Sequence, residues 1–182
     1  MKVKNIIGAL GTISLAACAP ETETQSDTAE TLPTTLASAS ISDAAGANVG
    51  LASIIETGNA LSLKVTLSGM PPGEKALHFH TTGACDAPDF KSAGGHLNPA
   101  EVSHGKLSDD GPHLGDFPNI TIAEDGLAEI SLPVAGTAQG AAKHILDADS
   151  TAIMIHAGPD DYKSDPAGAA GPRIACGVFE AS

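Results

Sequence analysis

The sequence is short of aromatic and basic residues. Only 3% of its 182 residues are aromatic and none is tryptophan, whereas glycine (20) and proline (12) are plentiful. That composition favours a turn-rich β protein over a helix bundle. Nine Lys and Arg stand against 22 Asp and Glu, which gives a formal net charge of -13. Nucleic-acid binding needs a basic patch for phosphates, so we expect no nucleic-acid partner and attribute the acidic charge to solubility.

The N-terminal apolar run, residues 6–16, is too short to span a bilayer, which takes about 20 residues. It follows Lys2 and Lys4 and ends in Leu-Ala-Ala immediately before Cys18. This arrangement resembles a bacterial lipoprotein signal, in which cleavage precedes a cysteine that becomes lipidated. We therefore expect a signal peptide at residues 1–17 and a lipid on Cys18. The alternative is an ordinary cleaved signal with a chance cysteine.

A lipoprotein signal predicts a location on the periplasmic side of the bacterial envelope, with membrane attachment only through the lipid on Cys18. Ala19, rather than aspartate, after the cysteine favours the outer membrane by analogy. Of three cysteines, Cys85 and Cys176 then remain. An even pair in an oxidising compartment predicts a disulfide, which would close a loop of about 90 residues and stabilise the fold by roughly 4 to 5 kcal/mol. The alternative, two reduced thiols, would require a cytosolic protein.

The mature chain divides into a tether and one domain. Residues 18–34 are rich in Thr and Glu and offer almost nothing to bury, so they cannot offset the entropy of ordering. We predict that they form a flexible tether. Residues 35–182 are predicted to form a single domain.

Within the domain the hydrophobic period is two. Residues 61–67 alternate between apolar and polar side chains, which predicts a half-buried strand. Gly58-Asn59 predicts a hairpin before it, and Asp125-Gly126 predicts a second hairpin between the apolar pairs Ile120/Ile122 and Ile130/Leu132. Further strands are predicted at the following ranges: 75–81, 151–156 and 174–179. No segment of ten or more residues has a convincing helical period, so we predict an all-β sandwich or barrel.

Two long stretches, residues 81–118 and 157–172, lack any period, and long loops in a compact domain are usually functional. His78 and His80 lie two apart on a predicted strand, so both side chains leave one face and can bind one metal ion. The remaining candidates lie on or beside the loops: His96, His104, His113, Asp116 and His156. Six imidazoles and a carboxylate suit borderline metals such as copper and zinc. His144 lies outside the pattern and is expected to be a surface histidine.

Five separated motifs resemble the copper/zinc superoxide dismutases, and specifically the bacterial periplasmic type with a lipoprotein signal. They are His78-Phe79-His80, Gly95-His96-Leu97-Asn98-Pro99, His104-Gly105, His113-Leu114-Gly115-Asp116 and Gly171-Pro172-Arg173-Ile174-Ala175-Cys176-Gly177-Val178. The similarity extends over about residues 35–182, in order and with family-like spacing. Because separate motifs agree, the resemblance is strong, whereas His-x-His alone would be weak.

The resemblance implies a Greek-key β-barrel or sandwich of about eight antiparallel strands with two long functional loops. It implies copper and zinc as cofactors and superoxide as the substrate, dismutated to oxygen and hydrogen peroxide, which would protect the cell envelope. Copper would be bound by His78, His80, His96 and His156. Zinc would be bound by His96, His104, His113 and Asp116. His96 would therefore bridge the two metals.

The resemblance also assigns supporting roles. Asp160 would link a copper histidine to a zinc histidine and fix the orientation of both rings. Cys85 and Cys176 match the family's disulfide. Arg173 and His96 would be the catalytic residues, Arg173 attracting superoxide to copper and His96 supplying a proton. The alternative for Arg173 is a structural arginine that donates to loop carbonyls.

Some positions depart from the family pattern. Lys75 and Ala76 stand where a non-ligand histidine and a glycine are common, with a consequence for local packing that the sequence leaves open; Phe179 and Ala169 also differ. A non-catalytic lipoprotein that buffers or delivers copper or zinc, and an interaction module stabilised by zinc alone, are the alternative functions. The sequence leaves open whether the protein is a monomer or a homodimer, and what the source of superoxide is.

Overall fold

The structure, a computed structural model, describes residues 31–182. The predicted signal peptide, the predicted lipid site at Cys18 and most of the predicted tether lie outside the described residues. The regular elements of the described part are, in chain order, β1 (Thr34–Asp43), β2 (Asn48–Thr57), β3 (Ala60–Leu67), β4 (Gly73–Lys75), β5 (Leu77–His80), a 3-10 turn (Lys91–Ala93), β6 (Ile120–Ile122), β7 (Ala128–Val134), α1 (Ala138–Ile145), β8 (Ala152–His156), β9 (Arg173–Val178) and β10 (Glu180–Ala181).

Eight of these strands form one antiparallel sheet in the order β5-β8-β9-β1-β2-β3-β7, with β10 paired to β1. The strands β4 and β6 form a separate antiparallel pair. β1, β2 and β3 follow one another through short connections, and β9 returns beside β1 after a long connection, which is the Greek-key order. The predicted all-β antiparallel fold with two long loops is therefore confirmed.

The core follows from the alternation of the strands. In β3, Leu61, Leu63, Val65 and Leu67 are buried while the residues between them are partly or fully exposed. The few aromatic residues are concentrated inside: Phe79 packs edge-on against Phe117 and Phe179, with ring centroids 4.7 and 5.4 Å apart. Because side chains alternate along β5, Phe79 points into this core while its two histidine neighbours leave the opposite face.

Two of the strand predictions need correction. The Asp125-Gly126 turn is present, with Ala123 N–H donating to Leu127 O at 3.0 Å. It does not close a hairpin, however, because β6 pairs with β4 and β7 pairs with β3. The predicted strand at 75–81 is split at Ala76, whose N–H donates to Gly158 O and whose carbonyl accepts from His156 N–H. These bonds to other segments take the place of a continuous ladder, so the chain leaves the β4–β6 pair and enters the main sheet there.

The helix α1 has only eight residues, too few for the period to show in the sequence. Its first turn is capped by Thr137, whose Oγ1 accepts from Gly140 N–H at 3.1 Å. Among the described residues, no helix has the length and apolar character that crossing a membrane requires.

Candidate metal centre

Four histidines converge beside β5, the edge strand of the main sheet, and its neighbour β8; we call His78, His80, His96 and His156 the strand set. Each can offer a ring nitrogen, and these four atoms lie within 4.8 Å of one another. Three members come from the paired strands β5 and β8. His96 lies on the loop that follows β5, and an isolated antiparallel β-bridge pairs it with His80. All four are buried, so the sheet presents a compact cluster of imidazoles screened from water.

A second cluster lies against the first; we call His96, His104, His113 and Asp116 the loop set. Its ligand atoms also lie within 4.8 Å of one another. Three ring nitrogens approach the Asp116 carboxylate: Nδ1 of His96 at 2.9 Å, of His104 at 3.1 Å and of His113 at 3.2 Å. His96 belongs to both sets, so one ring joins the two clusters.

The hydrogen bonds of these histidines leave one nitrogen of each ring free. Within residues 31–182, the buried side-chain N and O atoms without a hydrogen-bond partner are six ring nitrogens: Nδ1 of His78, His104 and His113, and Nε2 of His80, His96 and His156. Buried polar atoms are nearly always paired, so six orphaned nitrogens in one group of histidines indicate metal ligands. The residues therefore fit a pair of metal ions, because four imidazoles, and three imidazoles with one carboxylate, are donor sets of the kind that copper and zinc take.

The opposite nitrogen of several rings is held by backbone. His80 Nδ1 lies 2.9 Å from Gly94 O, and His156 Nδ1 lies 3.0 Å from Gly171 O. A carbonyl oxygen can only accept, so each of these nitrogens carries the proton and donates. The tautomer of both rings is thereby fixed with Nε2 unprotonated, which is the form that binds a metal.

Asp160 joins the two sets from the second long loop. Its Oδ2 lies 2.9 Å from His78 Nε2 and its Oδ1 lies 3.0 Å from His104 Nε2. The residue is 4% exposed. A carboxylate in this position accepts from both rings and orients their Nδ1 atoms toward the two clusters.

The surroundings keep the strand set neutral. Burial lowers the pKa of His78 to about 4, of His80 to about 2 and of His156 to about 4. Burial also lowers the pKa of His96. Desolvation disfavours the imidazolium in each case, so the rings are neutral at neutral pH and each keeps one nitrogen that can bind a metal ion.

The two carboxylates remain ionised despite burial. Burial by itself would raise the pKa of Asp116, but hydrogen bonds from His96, Gly105 and His113 outweigh it and hold the pKa well below its usual range. For Asp160, burial is likewise opposed by hydrogen bonds from His78 and His104, and its pKa is lowered to about 2. Each cluster therefore includes or adjoins a negative charge that offsets part of a cation's charge.

Arg173 lies beside the strand set on β9. Its Nη1 donates to Phe90 O and its Nη2 donates to Gly94 O, both at 2.6 Å. The Gly94 carbonyl thus accepts from both Arg173 and His80. Arg173 therefore has the structural role that the sequence left as an alternative, donation to loop carbonyls. The guanidinium and the His80 ring share one of these carbonyls, that of Gly94.

The predicted disulfide is confirmed: Cys85 and Cys176 are bonded across 91 positions of sequence. It attaches the beginning of the first long loop to β9. Lys75 is buried and its Nζ donates to Pro72 O at 3.3 Å, so the departures at Lys75 and Ala76 concern backbone packing next to β5. His144 lies half-buried on α1 and belongs to neither set.

Several supporting residues were missed by the sequence interpretation. Gly168 has φ +66, and a Cβ there would lie 1.8 Å from Asp160 Oδ1 and 2.6 Å from His104 Nε2. Asn119 donates to the Asp160 carbonyl and accepts from Asp160 N–H, and the Tyr162 hydroxyl oxygen accepts from Asn119 N–H. Nothing in a single sequence indicates the bonds of Asn119 or the approach of Gly168 to His104, because each joins residues of two different loops.

Comparison with known proteins agrees with this geometry. The family model of copper/zinc superoxide dismutase matches residues 48–179. Superoxide dismutase [Cu-Zn] 1 of Aquifex aeolicus is 46% identical over 74% of this chain and 82% of its own length. Superoxide dismutase [Cu-Zn] of Caulobacter vibrioides is 44% identical over 74% of this chain and 80% of its own.

A solved structure is also similar. The crystal structure of a SOD-like protein from Bacillus subtilis superposes with a TM-score of 0.74 at 32% identity, covering 80% of this chain and 99% of that one. Sequence and fold thus agree over most of the chain. This chain therefore belongs to the copper/zinc superoxide dismutase family.

Proposed function

We propose that this protein dismutates superoxide to oxygen and hydrogen peroxide, with copper in the strand set and zinc in the loop set. The observation that supports this most directly is the six orphaned buried ring nitrogens, which fall into two clusters sharing His96. A protein that needed zinc only for stability would require one of these clusters. Two clusters joined by one imidazole suit a redox metal beside a structural one.

The reaction consumes two superoxide ions and two protons for each oxygen and peroxide formed. Copper would supply the one-electron redox change, which zinc cannot, because zinc has no second accessible oxidation state. The chain's own contribution is to hold the ligands and to move a proton. His96 Nε2 faces the strand set while its Nδ1 faces Asp116, so Nε2 is the atom proposed to hold and release the proton.

Arg173 is proposed to attract the substrate anion. The protein is strongly acidic, but at physiological salt charges beyond about 8 Å are largely screened, so a nearby guanidinium outweighs the distant negative charge. Its two hydrogen bonds to Phe90 O and Gly94 O hold the cation at the edge of the strand set. The structural bonds and the attraction of superoxide are therefore compatible roles of one side chain.

The test is to load the purified protein with one copper and one zinc ion and follow superoxide decay. Fast copper-dependent decay is expected, and His96→Ala should abolish it together with normal metal binding. Arg173→Glu should slow decay strongly with both metals still bound, while an unchanged rate would remove Arg173 from catalysis. Full occupancy by both metals with no acceleration would contradict the enzyme proposal and favour a non-catalytic copper- and zinc-binding lipoprotein.

The proposed location is the periplasmic side of the bacterial envelope, anchored by a lipid on Cys18. The support is the order of basic, apolar and small residues before that cysteine. The wild-type protein is expected in the membrane fraction and the Cys18→Ser variant in the soluble fraction. Recovery of both in the soluble fraction would contradict the anchor. Sedimentation of the released protein would distinguish a monomer from the homodimer that the sequence leaves open.

A further inference from the structure

Two asparagines between β5 and β6 each make the same pair of hydrogen bonds to the backbone of one other residue. Asn119 Nδ2 donates to Asp160 O at 3.0 Å, and its Oδ1 accepts from Asp160 N–H at 2.8 Å. Asn98 Nδ2 donates to Val102 O at 2.7 Å, and its Oδ1 accepts from Val102 N–H at 3.2 Å. A primary amide has one acceptor and two donor hydrogens, so it can match both polar groups of one residue and fix its position.

The residue that Asn119 holds supports both ligand sets. Asp160 contacts His78 of the strand set and His104 of the loop set through its two carboxylate oxygens. It lies on the loop between β8 and β9, where no strand ladder fixes the backbone. The side-chain amide of Asn119 therefore supplies the two backbone hydrogen bonds that a neighbouring strand would otherwise make with Asp160. Tyr162 completes the arrangement, because its hydroxyl oxygen accepts from Asn119 N–H at 2.7 Å and its own N–H donates to Asp160 Oδ1 at 2.6 Å.

The residue that Asn98 holds supports the loop set alone. The carbonyl oxygen of Val102 accepts from Asn98 and also lies 3.0 Å from His113 Nε2. His113 must donate to a carbonyl, so its Nδ1 is left unprotonated and faces Asp116 at 3.2 Å. Displacement of Val102 would turn this ring and leave the strand set untouched.

We propose that Asn119 and Asn98 are positioning residues of the metal centre. Asn119 acts on both ligand sets through Asp160, and Asn98 acts on the loop set through Val102. The inference rests on the proposed binding of copper and zinc by the two sets. The physical reason is that a partner on the outer nitrogen fixes the tautomer and the ring orientation, and losing such a partner typically weakens metal binding about 10–100-fold.

The experiment compares metal affinities in the full chain with its disulfide intact. Each protein is freed of metal by dialysis against a chelator and titrated with Zn²⁺ or Cu²⁺ in competition with a chromophoric chelator. Asn119→Ala is expected to weaken the binding of both ions about 10–100-fold, and Asn98→Ala to weaken Zn²⁺ alone by a similar factor. Asn48→Ala is the matched control, because Asn48 Nδ2 donates to exposed Ser40 Oγ at 2.6 Å between β2 and β1, which carry no member of either set. It should change neither affinity.

A spectroscopic measurement separates positioning from a general loss of stability. Co²⁺ bound in place of zinc has visible absorption that reports ligand geometry, and it should change in both asparagine variants and stay unchanged in the control. If the variants lower the unfolding temperature of the metal-free protein yet keep wild-type affinities and Co²⁺ spectra, both residues are merely structural and the proposal is wrong. Loss of Zn²⁺ affinity alone in Asn119→Ala would refute its action on both sets.

A milder variant covers the case in which Asn119→Ala does not fold. Tyr162→Phe removes only the hydroxyl that accepts from Asn119 N–H and keeps the ring beneath Lys106 Nζ, 4.0 Å from its centroid. It should weaken the binding of both ions by a smaller factor than Asn119→Ala does. Unchanged affinities would contradict the proposal. Because binding is measured rather than turnover, an inactive wild-type protein that still binds both ions would refute the proposed enzyme without deciding the role of the asparagines.

Discussion

The strand set and the loop set share His96 but are built differently. Three strand-set histidines lie on β5 and β8, whose backbones are paired through Leu77↔Ile155 to His80↔Ala152. Three loop-set members, His104, His113 and Asp116, lie on a segment outside any strand or helix. Their geometry depends on the Asp116 carboxylate, on Val102 O of the same loop and on Asp160 of the second long loop.

The difference shows that the sheet orients most ligands of the strand set, whereas loop contacts orient those of the loop set. A sheet fixes backbone positions through many hydrogen bonds that exist without metal, so the strand set is oriented before a metal ion binds. A loop with few buried apolar contacts opens locally at a lower free-energy cost than a sheet. We therefore expect zinc to stabilise the loop set and copper to enter a site that the sheet already holds in shape.

The largest expected effect comes from removing the disulfide that ties the loop to the sheet. The double variant Cys85→Ser/Cys176→Ser frees a chain segment spanning 91 positions and should lower the free energy of unfolding by about 4 kcal/mol. For a domain of this size that corresponds to a fall in Tm of about 10 °C. Calorimetry of the metal-free protein measures it, with reduced wild type as the control that should match the variant. Equal stability of oxidised and reduced wild type would refute the anchoring role.

Selective removal of zinc should separate the two regions. The N–H groups of Gly105 and His113 donate to Asp116 Oδ2 at 2.9 and 3.0 Å. In the zinc-free protein these two amides should exchange with solvent about 100-fold faster than in protein kept at a free zinc concentration of about 100 times Kd. Amides of β8 should keep their exchange rates, because their bonds to β5 and β9 do not involve the loop. Hydrogen exchange followed by mass spectrometry measures both segments. Equal acceleration in the loop and in β8 would contradict the division.

Substitution of Gly168 should disturb the contact between the sets. In Gly168→Ala the new Cβ would collide with Asp160 and His104, so zinc affinity should fall about 10–100-fold. Gly136→Ala is the matched control, because Gly136 has φ +88 and no atom within 4 Å of its Cβ position. Both variants strain the backbone, but only the first meets the metal centre. Equal zinc affinities in the two variants would show that Asp160 does not need its present position.

The smallest effect is expected at His144, which lies on α1 outside both sets. His144→Gln should leave copper and zinc affinities unchanged and alter the free energy of unfolding by no more than about 0.5 kcal/mol. Metal titration and thermal unfolding together check this. A lower affinity for either metal would mean that His144 is a ligand that the two sets omit.

The prediction from sequence succeeded where the signal is local. Alternation along residues 61–67 predicted β3, Gly58-Asn59 predicted the hairpin that joins it to β2, and the absence of period located both long loops. The even cysteine pair predicted the disulfide. The predicted hairpin around Asp125-Gly126 was wrong because a turn determines the direction of the chain, whereas strand pairing depends on which edges are free elsewhere in the fold.

By itself, the sequence determined which side chains are available to bind metal and the period that sends His78 and His80 to one face. Only the tertiary structure decided which nitrogen of each ring is free, because the partner of the other nitrogen lies far away along the chain: Asp160 for His78 and His104, and Gly171 O for His156. The contacts of Asn119 with Asp160 and of Gly168 with His104 likewise arise when the two long loops pack together. Residue identity is local, but the orientation of a ligand is a property of the packed loops and sheet.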